Sequence, residues 1–415
     1  MLSYRKLAMR VLGRPLHTGG NDSPRPASQR AAAFALTAAM LITLAAPAFA
    51  GTWYIENGDI TVKASGTEGK NKVSQGNNPE VEDTDTIITN QKTDTASSHT
   101  VTIDAGNDKV EVTLKDVNIK ADSGSALASK GDVTLTLKGD NHLTGGISDT
   151  GNYGRNGIAS TGSLTITGGE NGSLTAQGGS GADGGHGGHG IYSNGSLTIS
   201  GGSTVTANGG NGGNVSGDGI SSNGSVTISG STVNATGGDG SGRSGDGGSG
   251  ITSNGGVTVS GGTVNAKGGS GKNGNGGDGI LSFNPVAISG GTVKSNGGSG
   301  TISGGDGIRS LDHVAISGGT VKSNGGSGNL SGGNGIISND IDLSGSLELT
   351  AKAGSPNGKA LSQNGSELVL DTIKDKLGPG AKVTATDADG KVIDQVPIPR
   401  PVEPEGPVIP EESSS

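Results

Sequence analysis

An apolar residue recurs after each glycine-rich stretch of the chain: Leu127, Ile158, Ile191, Ile220, Ile251, Ile280, Ile308, Ile336 and Leu361. The intervals are 31, 33, 29, 31, 29, 28, 28 and 25 residues, a period that marks a solenoid, a propeller or an array. Within the unit ISSNGSVTISGSTVNA, from Ile220 to Ala235, apolar residues alternate at spacing two and never at three and four. The unit is therefore built of strands. Three short strands separated by Gly or Asn-Gly corners cannot stand alone and must stack on their neighbours.

The first strand of each unit supplies the Ile or Leu and, two residues on, a serine: Ser129, Ser160, Ser193, Ser222, Ser253, Ser282, Ser310 and Ser338. The second supplies pairs such as Leu197/Ile199, Val226/Ile228 and Val257/Val259, and the third supplies Val205, Val233, Val264, Val293 and Val321. Three inward columns close a triangular core. Leucine-rich repeats need a Leu-x-x-Leu-x-Leu frame and propeller blades need four strands, so neither fits. The fold expected is all-β: a single-stranded parallel β-helix, a pectate-lyase-like solenoid with three short strands per coil, capped at both ends. Nine visible coils, with two irregular ones from Ile87–Asn90 and Val101–Ile119, would make a rod of roughly 50 Å at about 4.8 Å per coil. A narrow three-sided interior also accounts for only 2% aromatic residues. The 83 glycines among 415 residues follow no strict three-residue period, which excludes collagen.

The expected organisation is a signal peptide over 1–50, an N-terminal cap and irregular first coil over 51–100, repeats over 101–372, a cap or hairpin over 373–395 and an acidic proline-rich tail over 396–415. The leader has Arg5, Lys6, Arg10, Arg14, Arg25 and Arg30, an apolar run from Ala31 to Ala46, and the small-x-small Ala48-Phe49-Ala50. Cleavage near Ala50 would send the mature chain to the cell surface or the medium. The leader also carries Asp22, so 23 of the 29 basic and 37 of the 38 acidic residues would remain, a net charge near −14. That balance disfavours nucleic acid, and no segment after the leader is apolar enough to span a bilayer.

The stretches SGSALASKGDVTLTLKGDNHLTGG (123–146) and NGIASTGSLTITGGENGSLTAQGG (156–179) carry a resemblance. With the later SNG-x-VTISGGTV copies and the opening GTWYIENGDITV (51–62), they resemble the β-helical repeats of secreted or surface proteins of gut bacteria. Those proteins are described as carbohydrate-binding-domain, adhesin-like proteins. The resemblance implies an exported rod that contacts a polysaccharide or a host or cell-surface glycan.

Six glycine-rich loops precede the coil-opening isoleucines, and the residue two before the Ile forms a file of His189, Asp218, Ser249, Asp278, Asp306 and Asn334. Clustered carboxylates and carbonyls suit calcium, so Asp183, Asp218, Asp278 and Asp306 are candidate metal ligands. The plainer expectation is that Asp, Asn and Gly here only make turns with positive φ. Asn194, Asn223 and Asn254 at the first corner, with the three aspartates 218, 278 and 306, are candidate ligand-binding residues. The corner asparagines equally suit a stacked file that stabilises the turn.

Gly188-His189-Gly190 resembles the Gly-His-Gly of β-helical polygalacturonases, but that family's carboxylate motifs are missing, as is the basic cluster of a lyase. The chain is expected not to be an enzyme. The outward threonines Thr134, Thr165, Thr198, Thr227 and Thr258 resemble an ice-binding face, a file interrupted by Ala287 and Ala315. Besides a lyase or hydrolase and an ice-binding solenoid, the alternative is a passive stalk.

Overall fold

A computed structural model describes residues 50–148, 150–182, 184–242 and 245–399. The leader up to residue 49, the tail from Arg400 onward and Asp183, one of the candidate metal ligands, lie outside the described residues.

The described chain winds into a parallel β-solenoid. Nine complete coils start at Val101, Leu127, Ile158, Ile191, Ile220, Ile251, Ile280, Ile308 and Ile336. The register is in phase from coil to coil: Ile220 sits over Ile251, Val226 over Val257 and Val233 over Val264. Like therefore stacks on like, and Ile191, Ile199, Val205 and their counterparts in later coils are fully buried. At about 25 cal/mol per Å² of apolar surface, these columns are the main stabilising term.

The serine column is equally buried, and its hydroxyls explain why serine stands there. Ser253 Oγ donates to Gly224 O at 3.0 Å and Gly256 O at 2.8 Å, and Ser222 Oγ donates to Gly195 O at 2.9 Å. The side chain thus satisfies corner carbonyls that would otherwise lie unpaired against the core.

Early coils depart from the expected three short strands. Leu127–Thr144 is one 18-residue strand that turns two corners, and Leu164–Gln177 is one 14-residue strand that turns one. Gly131 (φ 79°) and Gly139 (φ 62°) bend the first of these without ending the ladder.

Antiparallel strands close both ends. Asn71–Gln75 pairs against Ile60–Ala64, which itself lies parallel to Val101–Asp104. At the other end Ser366–Glu367 covers Leu361–Gln363, and Val392–Pro397 covers Lys382–Thr386. The Leu361 unit is incomplete: 3-10 turns at Leu370–Thr372 and Lys374–Lys376 stand where its second strand would be. Trp53 is engaged in the first cap, donating from Nε1 to the buried Asp83 Oδ2 at 2.7 Å.

Candidate functional site

The glycine-rich loops are ordered extensions of the solenoid. Each leaves the third face, reverses and returns to the next isoleucine, and its backbone pairs with the loops above and below. N–H direction repeats every three residues: Gly268 and Gly271 donate to the following coil, at Asn296 O and Ser299 O, whereas Gly269 and Lys272 donate to the preceding one, at Gly248 O and Gly240 O. A repeat of three is the periodicity of a polyproline-II-like extended strand. A zigzag runs along the rod from Gly188 O to Gly210 N, Gly210 O to Gly217 N, Gly217 O to Gly238 N and onward through later coils.

The positive-φ expectation fails here. Of the described glycines in these six loops only Gly184 (φ 80°) is left-handed. Glycine is required instead by close approach: a Cβ on Gly210 would lie 1.9 Å from Gly179 O, and one on Gly217 would lie 1.9 Å from Gly188 O.

The file two before each isoleucine ties these loops together. Asn156 Oδ1 accepts the His189 N–H, His189 Nδ1 accepts that of Asp218, and Asp218 Oδ1 accepts that of Ser249. Further on, Asp278 Oδ1 accepts the Asp306 N–H at 2.6 Å and Asp306 Oδ1 accepts the Asn334 N–H at 2.6 Å. Each side chain caps the same slot of the next coil. His189 Nδ1 is committed as an acceptor, so its 3.6 Å approach to Asp218 Oδ2 is not an Nδ1–H ion pair.

Burial drives these carboxyls toward neutrality. Asp278 is pushed up to about 7, by burial first and by the Asp306 carboxylate second. Asp218 and Asp306 are also raised by burial, opposed by hydrogen bonds from the Ser249 N–H and from Asn334 respectively. The calcium expectation requires the aspartates to converge. Asp218, Asp278 and Asp306 each give one oxygen to backbone, and among the described residues no three acidic or histidine side chains group as a metal site.

The corner asparagines are exposed and linked. Asn223 Nδ2 donates to Asn194 Oδ1 at 2.7 Å and to Tyr192 Oη at 3.0 Å, and Asn254 Nδ2 donates to Asn223 Oδ1 at 3.0 Å. Among the described residues the ladder leaves the Asn194 Nδ2 hydrogens and Asn254 Oδ1 without a side-chain partner. Tyr192 stacks on His189 with ring centroids 5.8 Å apart. One coil beyond Asn254 the corner residue is Phe283, 47% exposed. Tyr192 and Phe283 occupy different columns, as read from the sequence, yet the tyrosine hydroxyl reaches across to the asparagine file.

Around this ladder lies a surface that the linear sequence conceals. The segments 158–167, 191–200, 220–229, 251–260 and 280–289 form the first two faces of five successive coils and contain no Asp, Glu, Lys, Arg or His. Their outward positions carry Tyr192, Ser221, Thr252 and Leu281 on one face and Thr165, Thr198, Thr227 and Thr258 on the other. Lys130 and Asp132 bound this uncharged panel in the preceding coil, and Arg309, Asp312 and His313 in the following one.

Two other features escaped sequence reading. A cleft of about 960 Å³ at the first cap is lined by residues including Glu68, Lys70, Asp108, Lys109 and Asp132. At the loop tips Tyr153 stacks on His186 at 5.4 Å, and Leu330 is 73% exposed beside Ile302. Among the described residues no helix is long and apolar enough to cross a membrane. No protein-family model matches the chain, and neither curated proteins nor solved structures give a significant match.

Proposed function

We propose that this is an exported, non-catalytic binding protein whose rod holds a polysaccharide against the uncharged panel. The observation that carries the reading is the exposed Asn194–Asn223–Asn254 ladder, set between the Tyr192 ring and the Phe283 ring on a surface without charge. Amides and hydroxyls supply the donors and acceptors that sugar hydroxyls need, and aromatic rings supply apolar faces for stacking. Contacts repeated at coil spacing act as linked weak sites, so a polymer gains avidity that a monosaccharide does not.

Export rests on the leader pattern over 1–50, with release or retention at the cell surface as its consequence. The buried aspartate file serves the loops in this reading, and the ligand needs no calcium. A lyase or hydrolase would require an acid–base pair facing substrate, whereas His189 and Asp218 are engaged with backbone N–H groups.

A glycan array with the exported chain tests the proposal. Retention of a polysaccharide, unchanged by EDTA and abolished by combined Tyr192→Ala, Asn223→Ala and Phe283→Ala substitution, is the expected result. Loss of retention on Asp278→Asn but not on the triple change would move the site to the loop edge. Retention of no glycan would leave a passive stalk.

A further inference from the structure

The coil rise and the charge pattern constrain the ligand further. Neighbouring coils stand about 4.8 Å apart, comparable with the length of one pyranose ring in an extended chain. Tyr192 and Phe283 lie three coils apart in the stack, roughly 14 Å by that spacing. Between them the polar groups repeat once per coil: Asn194, Asn223 and Asn254 at the corner, with Ser221 and Thr252 beside them.

Charge is excluded from the two faces of the panel, and the carboxyls on its loop edge are held toward neutrality by burial. Asp218 and Asp278 run along the edge where the loops return to the first face, and hydroxyls of Ser221 and Thr252 stand next to the Asp218 carboxyl. Exposed guanidiniums stand at the two ends of the panel: Arg155, three residues before Ile158 at the loop edge, and Arg309, in the coil beyond Phe283, which approaches Asp306 at 3.7 Å. A polyanion laid here would meet no cation on the two panel faces of these five coils, on a chain of net charge −9.

We infer that the polymer bound by the panel is uncharged and runs parallel to the rod axis, one ring per coil, across the five coils between Ile158 and Ser289. The inference rests on the polysaccharide reading and names the class of ligand. Charged coils at both ends set the limit: five rings fill the panel, and further rings add nothing.

Titration calorimetry with neutral β-1,4-linked gluco-, manno- and xylo-oligosaccharides of rising length, against oligogalacturonates of the same lengths, separates the possibilities. The expected result is that one neutral series tightens with each added ring up to five and then levels, with less than about a twofold change between low and high salt. Thr252→Lys, at the centre of the panel, is expected to weaken that series about tenfold, whereas Lys322→Ala on the third face leaves it unchanged. The folded state of each variant is checked by its circular dichroism. Preferred binding of oligogalacturonates, weakened by salt and tightened by Thr252→Lys, would overturn the uncharged ligand yet leave polysaccharide binding intact. A neutral disaccharide binding as tightly as a hexamer would overturn the axial arrangement. Absence of any glycan binding would remove the polysaccharide reading itself, and this inference with it.

Discussion

Two residue-level contacts govern how the loop edge responds to change. At Gly217 an added methyl would lie 1.9 Å from Gly188 O, a backbone atom that cannot rotate away. Gly217→Ala is expected to destabilise the rod by about 1–3 kcal/mol, as overpacking does, read as a lowered midpoint in chemical denaturation. At Asp278 the proton is held more tightly in the folded than in the unfolded chain, because burial and the Asp306 carboxylate disfavour the ionised form. Its stabilising contribution is therefore complete below the ordinary value of 3.8 and is lost as pH rises through about 7. Asp278→Asn keeps the Oδ1 that accepts the Asp306 N–H, and the equivalent slots hold Asn156 and Asn334. The variant is expected to melt several degrees above the parent at pH 8, with the gap closing near pH 4. An equal gap at both values would show that the Asp278 proton is not involved.

Whole coils behave as interchangeable elements, since each pairs only with its neighbours and the register never slips between Ile191 and Ile316. Removing residues 280–307 joins Gly279 to Ile308 and reproduces the Gly307–Ile308 junction it replaces. The shortened chain is expected to keep its β-sheet circular dichroism and to melt cooperatively. Removing residues 366–415 instead uncovers the ladder edges at Leu361–Gln363 and Glu348–Lys352, and should cause aggregation on concentration, measured by light scattering. The coil itself was readable from sequence, because period-two alternation fixes which residues face inward and Ile220, Val226 and Val233 each have a partner one period on. The serine column was visible as a slot, but its hydroxyl bonds to corner carbonyls depend on backbone geometry. Loop order was not readable: glycine signals both left-handed turns and close approach, and only the stacked backbone distinguishes Gly184 from Gly217. The panel escaped for another reason. Its absence of charge is spread over five segments separated by loops, and becomes one surface only after the coils are superposed.

At the scale of the molecule, the ladder bonds and the loop bonds that join successive coils run roughly along the rod. A tether pulling on the two ends therefore loads those bonds one coil at a time and never shears a whole face together. Each coil that detaches releases 28 to 31 residues of chain between Ile191 and Ile336, or roughly 90–110 Å at 3.3–3.6 Å per residue. Stretched in an atomic force microscope, the rod should give a sawtooth of nearly equal steps of that length at modest force. A single rupture at high force would mean that the coils break as one body. Such a filament would act as an extensible shock absorber, lengthening many-fold under flow while the remaining coils stay wound.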